Sequence, residues 1–224
     1  MPLISVITPF SRGMRVLPQL IRDFRNQTFQ NFEHIIVNDG PVQDNVKDFI
    51  KDNQNDYNIR FVSIEKDFGD MWRSPGTKAR NYGTSLAKGT YVYYADDDNR
   101  YKDVLIETLL NGMTENRLSV VQVACVESRV FKNGSPTKIA IVPEIGLPFP
   151  LICHVDTASC LFPRRWILED PWRYEPEHDF RLIKRIIEKH HPEIVIHNGV
   201  QVDLDGIFVK GIRDFVSIPP FFRK

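Results

Sequence analysis

No apolar stretch of this chain approaches the roughly 20 residues needed to cross a bilayer. Its opening residues run straight into a strand without a basic-then-apolar leader, so a cytoplasmic protein is the expectation. Cysteine is scarce. Cys125, Cys153 and Cys160 are odd in number and lack metal-ligand spacing, which reads as reduced, mostly buried thiols. His154, His178, His190, His191 and His197 also lack the paired spacing of a zinc site. Net charge is missing too: Lys+Arg and Asp+Glu both count 29, so nothing global points to nucleic acid or an anionic membrane. There is no Gly-x-Gly-x-x-Gly after the first strand and no Gly-x-x-x-x-Gly-Lys-Ser/Thr anywhere, so dinucleotide oxidoreductases and P-loop enzymes fit poorly.

What the chain does have is 42% hydrophobic residues in short, regularly interrupted runs, enough for a real core in one domain. Leu3 to Thr8, Glu33 to Val37 and Ile59 to Ile64 read as strands, each stopped by turn residues. Between them Leu17, Leu20, Ile21 and Phe24, then Val46, Phe49 and Ile50, recur at helical spacing. Thr77 to Lys88 reads as a third helix and Tyr91 to Tyr94 as a fourth strand. Strand and helix alternate with short links, which predicts a mostly parallel α/β sheet of Rossmann-like type.

Tyr91-Val92-Tyr93-Tyr94-Ala95 runs into three consecutive carboxylates, Asp96, Asp97 and Asp98, followed by Asn99. Adjacent aspartates repel, and a core strand has no structural use for them. At the carboxyl end of a buried strand they suit a hard divalent cation with its phosphates, or else an acidic turn capping a helix expected near Lys102. In such sheets ligands bind outside the carboxyl ends of the strands. That rule gathers Thr8-Pro9-Phe10, Asn38-Asp39-Gly40, Glu65-Lys66-Asp67 and the aspartates around one crevice.

Thr8-Pro9-Phe10, Gln27-Thr28-Phe29-x-x-Phe32-Glu33, Asn38-Asp39-Gly40, Ala79-Arg80-Asn81-x-Gly83 and Ala95-Asp96-Asp97-Asp98-Asn99 together resemble glycosyltransferase family 2. The resemblance implies a GT-A fold, a nucleotide-sugar donor and inverting transfer. It implies one domain over 1–224, with a nucleotide-sugar-binding half at 1–100 and a smaller antiparallel acceptor-side half at 101–224. It makes Asp39 the acceptor for a uracil or thymine N3–H, with Thr8, Pro9 and Phe10 lining the base pocket. Arg80, on this likeness, reaches the diphosphate. The family's metal carboxylates fall on Asp98 with either Asp97 or Asp96, binding Mn²⁺ or Mg²⁺; the remaining carboxylate is left for a ribose hydroxyl. Asp67 and Trp72, in the loop before the third helix, are candidates for the sugar.

The second half matches the family more loosely. Val120 to Val126 reads as a strand, Val130-Phe131 and Ile139 to Ile141 as pieces flanking a turn, and Val200 to Phe208 as a hairpin on Asp205-Gly206. His154 to Phe162 resembles the family strand beneath the acceptor, which makes His154 and Asp156 substrate candidates. An acidic motif precedes the apolar stripe Leu182, Ile183, Ile186 and Ile187; carboxylates there also suit a helix N-terminus. The resemblance puts the catalytic base at Asp179, with Glu177 as the fallback.

The reaction implied is transfer of a sugar from a UDP- or dTDP-linked donor to a carbohydrate or other hydroxyl in glycan synthesis. The rivals are a non-catalytic sugar- or nucleotide-binding module and a sugar nucleotidyltransferase. For the latter, Ser11-Arg12-Gly13-Met14-Arg15 only faintly imitates the expected loop. The apolar-then-basic tail, Ile218 to Lys224, can dock on its own domain, on a second copy in a homodimer or peripherally on a membrane surface.

Overall fold

The apolar runs of the first half form four parallel strands. β1 (Ile4–Phe10) lies between β2 (Phe32–Asp39) and β4 (Tyr91–Tyr94), and β3 (Ile59–Ile64) extends the sheet beyond β2. The computed structural model describes residues 1–54, 58–66, 75–126, 138–146, 148–150 and 155–204. Helices α1 (Leu17–Arg25), α2 (Asp44–Asn53) and α3 (Thr77–Leu86) connect these strands, with Pro18 tolerated because it falls in the first turn of α1. Gly83 lets α3 approach β1: a Cβ there would sit 2.5 Å from Ile7 Cγ2.

The sheet then continues into the second half without a break. β8 (Cys160–Pro163) pairs antiparallel with β4, and β6 (Arg117–Val126) pairs antiparallel with β8. β9 (Glu193–Leu204) runs parallel to β6, while β5 (Arg100–Tyr101) and β7 (Lys138–Val142) pair antiparallel with β9 and β6. The order is β3-β2-β1-β4-β8-β6-β9-β5 in a nine-stranded sheet, with β7 on β6. Helices α4 (Leu105–Leu110), α5 (Arg164–Glu169) and α6 (His178–His190) complete the element order. One core packs Leu17, Leu20 and Phe24 with Leu105 and Leu109 against Ile4, Val6 and Tyr93. The other packs Ala79, Trp166, Leu182 and Ile186 against Ile7, Val92 and Phe162. Among the described residues no helix is long and apolar enough to cross a membrane.

The second half pairs antiparallel at β4–β8, β6–β8, β6–β7 and β5–β9, as expected, while its longest pairing, β6 with β9, is parallel. The strand expected as half of a hairpin from Val200 begins instead at Glu193. Asn198-Gly199 is a bulge inside β9. The register jumps there from Val121↔His197 to Gln122↔Val200, and Gly199 takes a φ of 102°. The helix expected near Lys102 starts at Leu105, because Arg100 and Tyr101 are used first by β5. The turns at 133–136 and 205–206 and the tail lie outside the described residues.

Candidate active site

Because β1, β2 and β4 are parallel and adjacent, their carboxyl ends deliver Phe10, Asp39 and the Asp96-Asp97-Asp98 turn to one edge of the sheet. Asp39 is the last residue of β2. The turn after it is closed by Asn38 Nδ2 and Ser63 Oγ, both donating to the Gly40 carbonyl, and Gly40 takes a φ of 105°. Lys66 Nζ stands 2.9 Å from Asp39 Oδ2. Thr8 is buried, with its Oγ1 2.8 Å from His34 Nε2. The ring of Phe10, expected to offer a face to a base, is 1% exposed and lies edge-on to Phe61 with centroids 6.2 Å apart. In this arrangement the ring belongs to the core.

The three aspartates divide by their partners. Asp97 is buried. Its Oδ2 accepts from the backbone N–H groups of Ser11 and Arg12 at 3.0 and 3.2 Å, and its Oδ1 stands 3.2 Å from Arg12 Nε. Burial, with the like charges of Asp98 and Asp96, pushes its pKa up to about 6 despite the Ser11 and Arg12 contacts. Asp98 Oδ2 is 2.8 Å from Arg12 Nη2. Asp96 Oδ1 accepts from Arg80 Nη2 at 2.7 Å, and the Tyr101 hydroxyl donates to the Asp96 carbonyl.

Arg80 is the centre of the second charge group. Only 4% exposed, it donates through Nη1 to the Pro75 carbonyl at 2.8 Å, and its guanidinium carbon lies 4.6 Å from the Trp172 ring centroid. Its Nε is buried with no hydrogen-bond partner among the described residues. Burial works against its charge, but Asp96, then Asp179 and Asp156, hold its pKa above the ordinary value. Arg80, expected at the diphosphate, bonds Asp96 and also feels the charges of Asp179 and Asp156 from the second half. Asn81 ties the halves together: its Nδ2 donates to the Trp172 carbonyl, and its Oδ1 accepts from the Trp172 N–H, both at 3.0 Å.

On the acceptor side, Asp156 caps the 3₁₀ turn at Thr157–Ser159 by accepting from the Ala158 N–H at 2.7 Å. Burial, then the charges of Asp179 and Asp96, push its pKa well above the usual carboxylate range. Asp179 lies in the first turn of α6, and its Oδ1 accepts from the Thr157 hydroxyl at 2.8 Å. Glu177 precedes that helix in a left-handed conformation, φ 55°; its side chain is 44% exposed and lies 3.8 Å from Arg181 Nη2. The structure thus groups Asp96, Asp156 and Asp179 about Arg80 and leaves Glu177 on the outside. Asp67, Trp72 and His154 lie outside the described residues.

Arg12, Lys66, Asn81 and Thr157 were not assigned a role from the sequence. Arg12 and Asp97 are 85 residues apart, and only the strand order brings them together. Among the described residues no three His, Cys, Asp or Glu side chains form a ready metal cage. A hard cation shared with a diphosphate needs only one or two carboxylates. The all-carboxylate donor set at 96–98, with Asp98 at 13% side-chain exposure, fits Mn²⁺ or Mg²⁺.

The model for "Glycosyl transferase family 2" matches residues 5–190. Glycosyltransferase GlyG of Streptococcus pneumoniae serotype 4 is 31% identical over 119 residues, covering 53% of this chain and 38% of that protein. The putative teichuronic acid biosynthesis glycosyltransferase TuaG of Bacillus subtilis (strain 168) is 30% identical over 115 residues, 51% of this chain and 43% of that protein. The chain thus spans less than half the length of these relatives. Among solved structures, S. aureus TarS 1-349 in complex with UDP superposes with a TM-score of 0.67 at 16% identity, over 92% of this chain and 60% of that one. The mannosyltransferase PcManGT from Pyrobaculum calidifontis, in complex with GDP-Man and Mn²⁺, gives 0.63 at 14%, over 91% and 56%. These two likenesses establish the fold.

Proposed function

The chain belongs to glycosyltransferase family 2, and from that premise we propose that it moves a sugar from a UDP- or dTDP-linked donor to an acceptor hydroxyl with inversion, in glycan synthesis. The observation that carries this reading is the convergence of donor-side Asp96 and acceptor-side Asp179 on one buried cation, Arg80. A base-reading carboxylate, a cation-binding turn and a proton acceptor then share one edge of the sheet.

In this mechanism Asp39 accepts the N3–H of the base, held at the end of β2 beside Lys66. Asp98 holds a divalent cation, with Asp97 fixing the turn through the Ser11 and Arg12 N–H groups. A cation held there would supply positive charge to the departing diphosphate. Asp96 takes a ribose hydroxyl, and Arg80 keeps Asp96 and Asp179 in place from behind. Thr157 fixes Asp179 through Oδ1, leaving Oδ2 to take the acceptor's proton as its oxygen attacks the anomeric carbon in line. The exposure of Glu177 favours Asp179 for this task. Asp67, Trp72 and His154 are kept as sugar and acceptor contacts on the resemblance alone.

The test is nucleotide release from UDP-, dTDP- and GDP-sugars with Mn²⁺, with and without hydroxyl acceptors. Release from a UDP- or dTDP-sugar that disappears in Asp179→Asn supports the reading. UDP binding without release from any donor reduces the protein to a binding module.

A further inference from the structure

Among the described residues Arg12 is the cation paired with the proposed metal ligand Asp98, and its main chain and side chain are held differently. The backbone N–H groups of Ser11 and Arg12 are fixed by Asp97 Oδ2, so the chain just past β1 is tied to the aspartate turn whatever the side chain does. The guanidinium reaches over the turn, with Nε 3.2 Å from Asp97 Oδ1 and Nη2 2.8 Å from Asp98 Oδ2. The Arg12 side chain is 30% exposed against 7% for Asp97 and 13% for Asp98, so the guanidinium is the partner with a way out to solvent. Arg80 is its opposite, enclosed with a carbonyl, a carboxylate and an indole face around it.

Among the described residues, two guanidinium groups stand against the three carboxylates of the turn, a balance of one net negative charge. A divalent cation arriving together with a diphosphate leaves that balance unchanged. A divalent cation alone turns the site positive, and a diphosphate alone makes it strongly negative. On the reading that Asp98 is the cation ligand, we infer that Arg12 is a resident counter-ion that competes with the divalent cation for Asp98, making cation and donor bind as a pair. When both arrive, the guanidinium gives up Asp98 and turns its fork to the diphosphate, a group it suits as well as a carboxylate. No bond is made or broken in this exchange.

The test is Mn²⁺ binding without turnover, read by the EPR signal of free Mn²⁺ in titrations of the full chain with and without UDP. Without UDP, Arg12→Gln and Arg12→Met should bind Mn²⁺ at least about fivefold more tightly than the unmodified protein. The tightening that UDP produces should shrink by the same factor, since the coupling is reciprocal. Arg12→Lys, which keeps a competing cation, should stay close to the unmodified protein. A merely structural Arg12 would give the reverse, with looser Mn²⁺ binding in both neutral variants. Two variants are used so that misfolding of one, seen by circular dichroism, leaves the other to decide. If the unmodified protein gains Mn²⁺ affinity with UDP but neither variant tightens without it, the competition is wrong while the metal reading stands. If the unmodified protein binds no Mn²⁺ even with UDP, the assignment of Asp98 falls, and this inference with it.

Discussion

The two halves of the sheet handle their carboxylates in opposite ways. On the donor side, Asp39 has Lys66, Asp96 has Arg80, and Asp97 and Asp98 share Arg12, each carboxylate with a cation within 3.2 Å. On the acceptor side the hydrogen-bonded partners are neutral, a backbone N–H for Asp156 and a threonine hydroxyl for Asp179. His178 Nε2 stands 3.7 Å from Asp179 Oδ1, and Arg80 acts on both carboxylates without a direct bond. A region built to receive a diphosphate and a divalent cation can hold its charges as ion pairs that swap partners. A region built to accept a proton is better served by neutral donors, which orient a carboxylate without suppressing its basicity as a bonded cation would.

The contrast is broken most severely at Asp179. Asp179→Asn should lower kcat by about 10²–10⁴-fold while leaving UDP affinity within a factor of two or so, measured by calorimetry beside steady-state rates. Asp39→Asn should do the opposite, weakening UDP with a smaller change in kcat. Equal effects of the two variants on UDP binding would erase the division of labour.

The next effect concerns the floor of the donor side. His34 is buried in contact with Phe24, and desolvation pushes its pKa down to about 3. In the unfolded chain the imidazole takes a proton near pH 6.5. The stability supplied by burying it neutral is therefore present above about pH 6.5 and is lost progressively as pH falls toward 3, on the order of 5 kcal/mol over the whole window. Urea unfolding at pH 7 and pH 4.5 should show this loss, and His34→Gln should reduce it. An equal loss in both proteins would exonerate the histidine.

The seam between the halves is worth less but is more specific. Asn81→Ala removes both hydrogen bonds to Trp172 and should cost about 1–3 kcal/mol in urea unfolding. It should lower kcat more than donor affinity, because Trp172 covers Arg80. Smallest of all, Lys66→Met should raise the donor KM by about two- to fivefold and leave kcat alone, as suits a partly exposed pair. A loss in kcat as large as that of Asp179→Asn would move Lys66 into the chemistry.

Much of this contrast was legible in the sequence, but only on one side. Parallel strands buried on both faces leave unbroken apolar runs, and their carboxyl ends are marked by Asn38-Asp39-Gly40 and Asp96-Asp97-Asp98, so the donor side announces itself locally. The acceptor side is written in longer-range features. β8 is only four residues long, and β9 crosses a bulge at Asn198-Gly199 that imitates a turn. The bond from Thr157 to Asp179 spans 22 residues. Partners were the harder part everywhere. Arg80 was expected at the diphosphate because guanidinium suits phosphate, but nothing in Ala79-Arg80-Asn81 tells that Trp172 closes over it.

The unbroken sheet has a mechanical consequence. β4 and β8 are hydrogen-bonded neighbours, so the floor beneath the donor pocket and the floor beneath the acceptor pocket are one plate. A two-lobed enzyme can close its cleft by bending between lobes; this plate has no crease along which to fold. On the proposed function, the span from anomeric carbon to proton acceptor would be set by this plate like a fixed gauge.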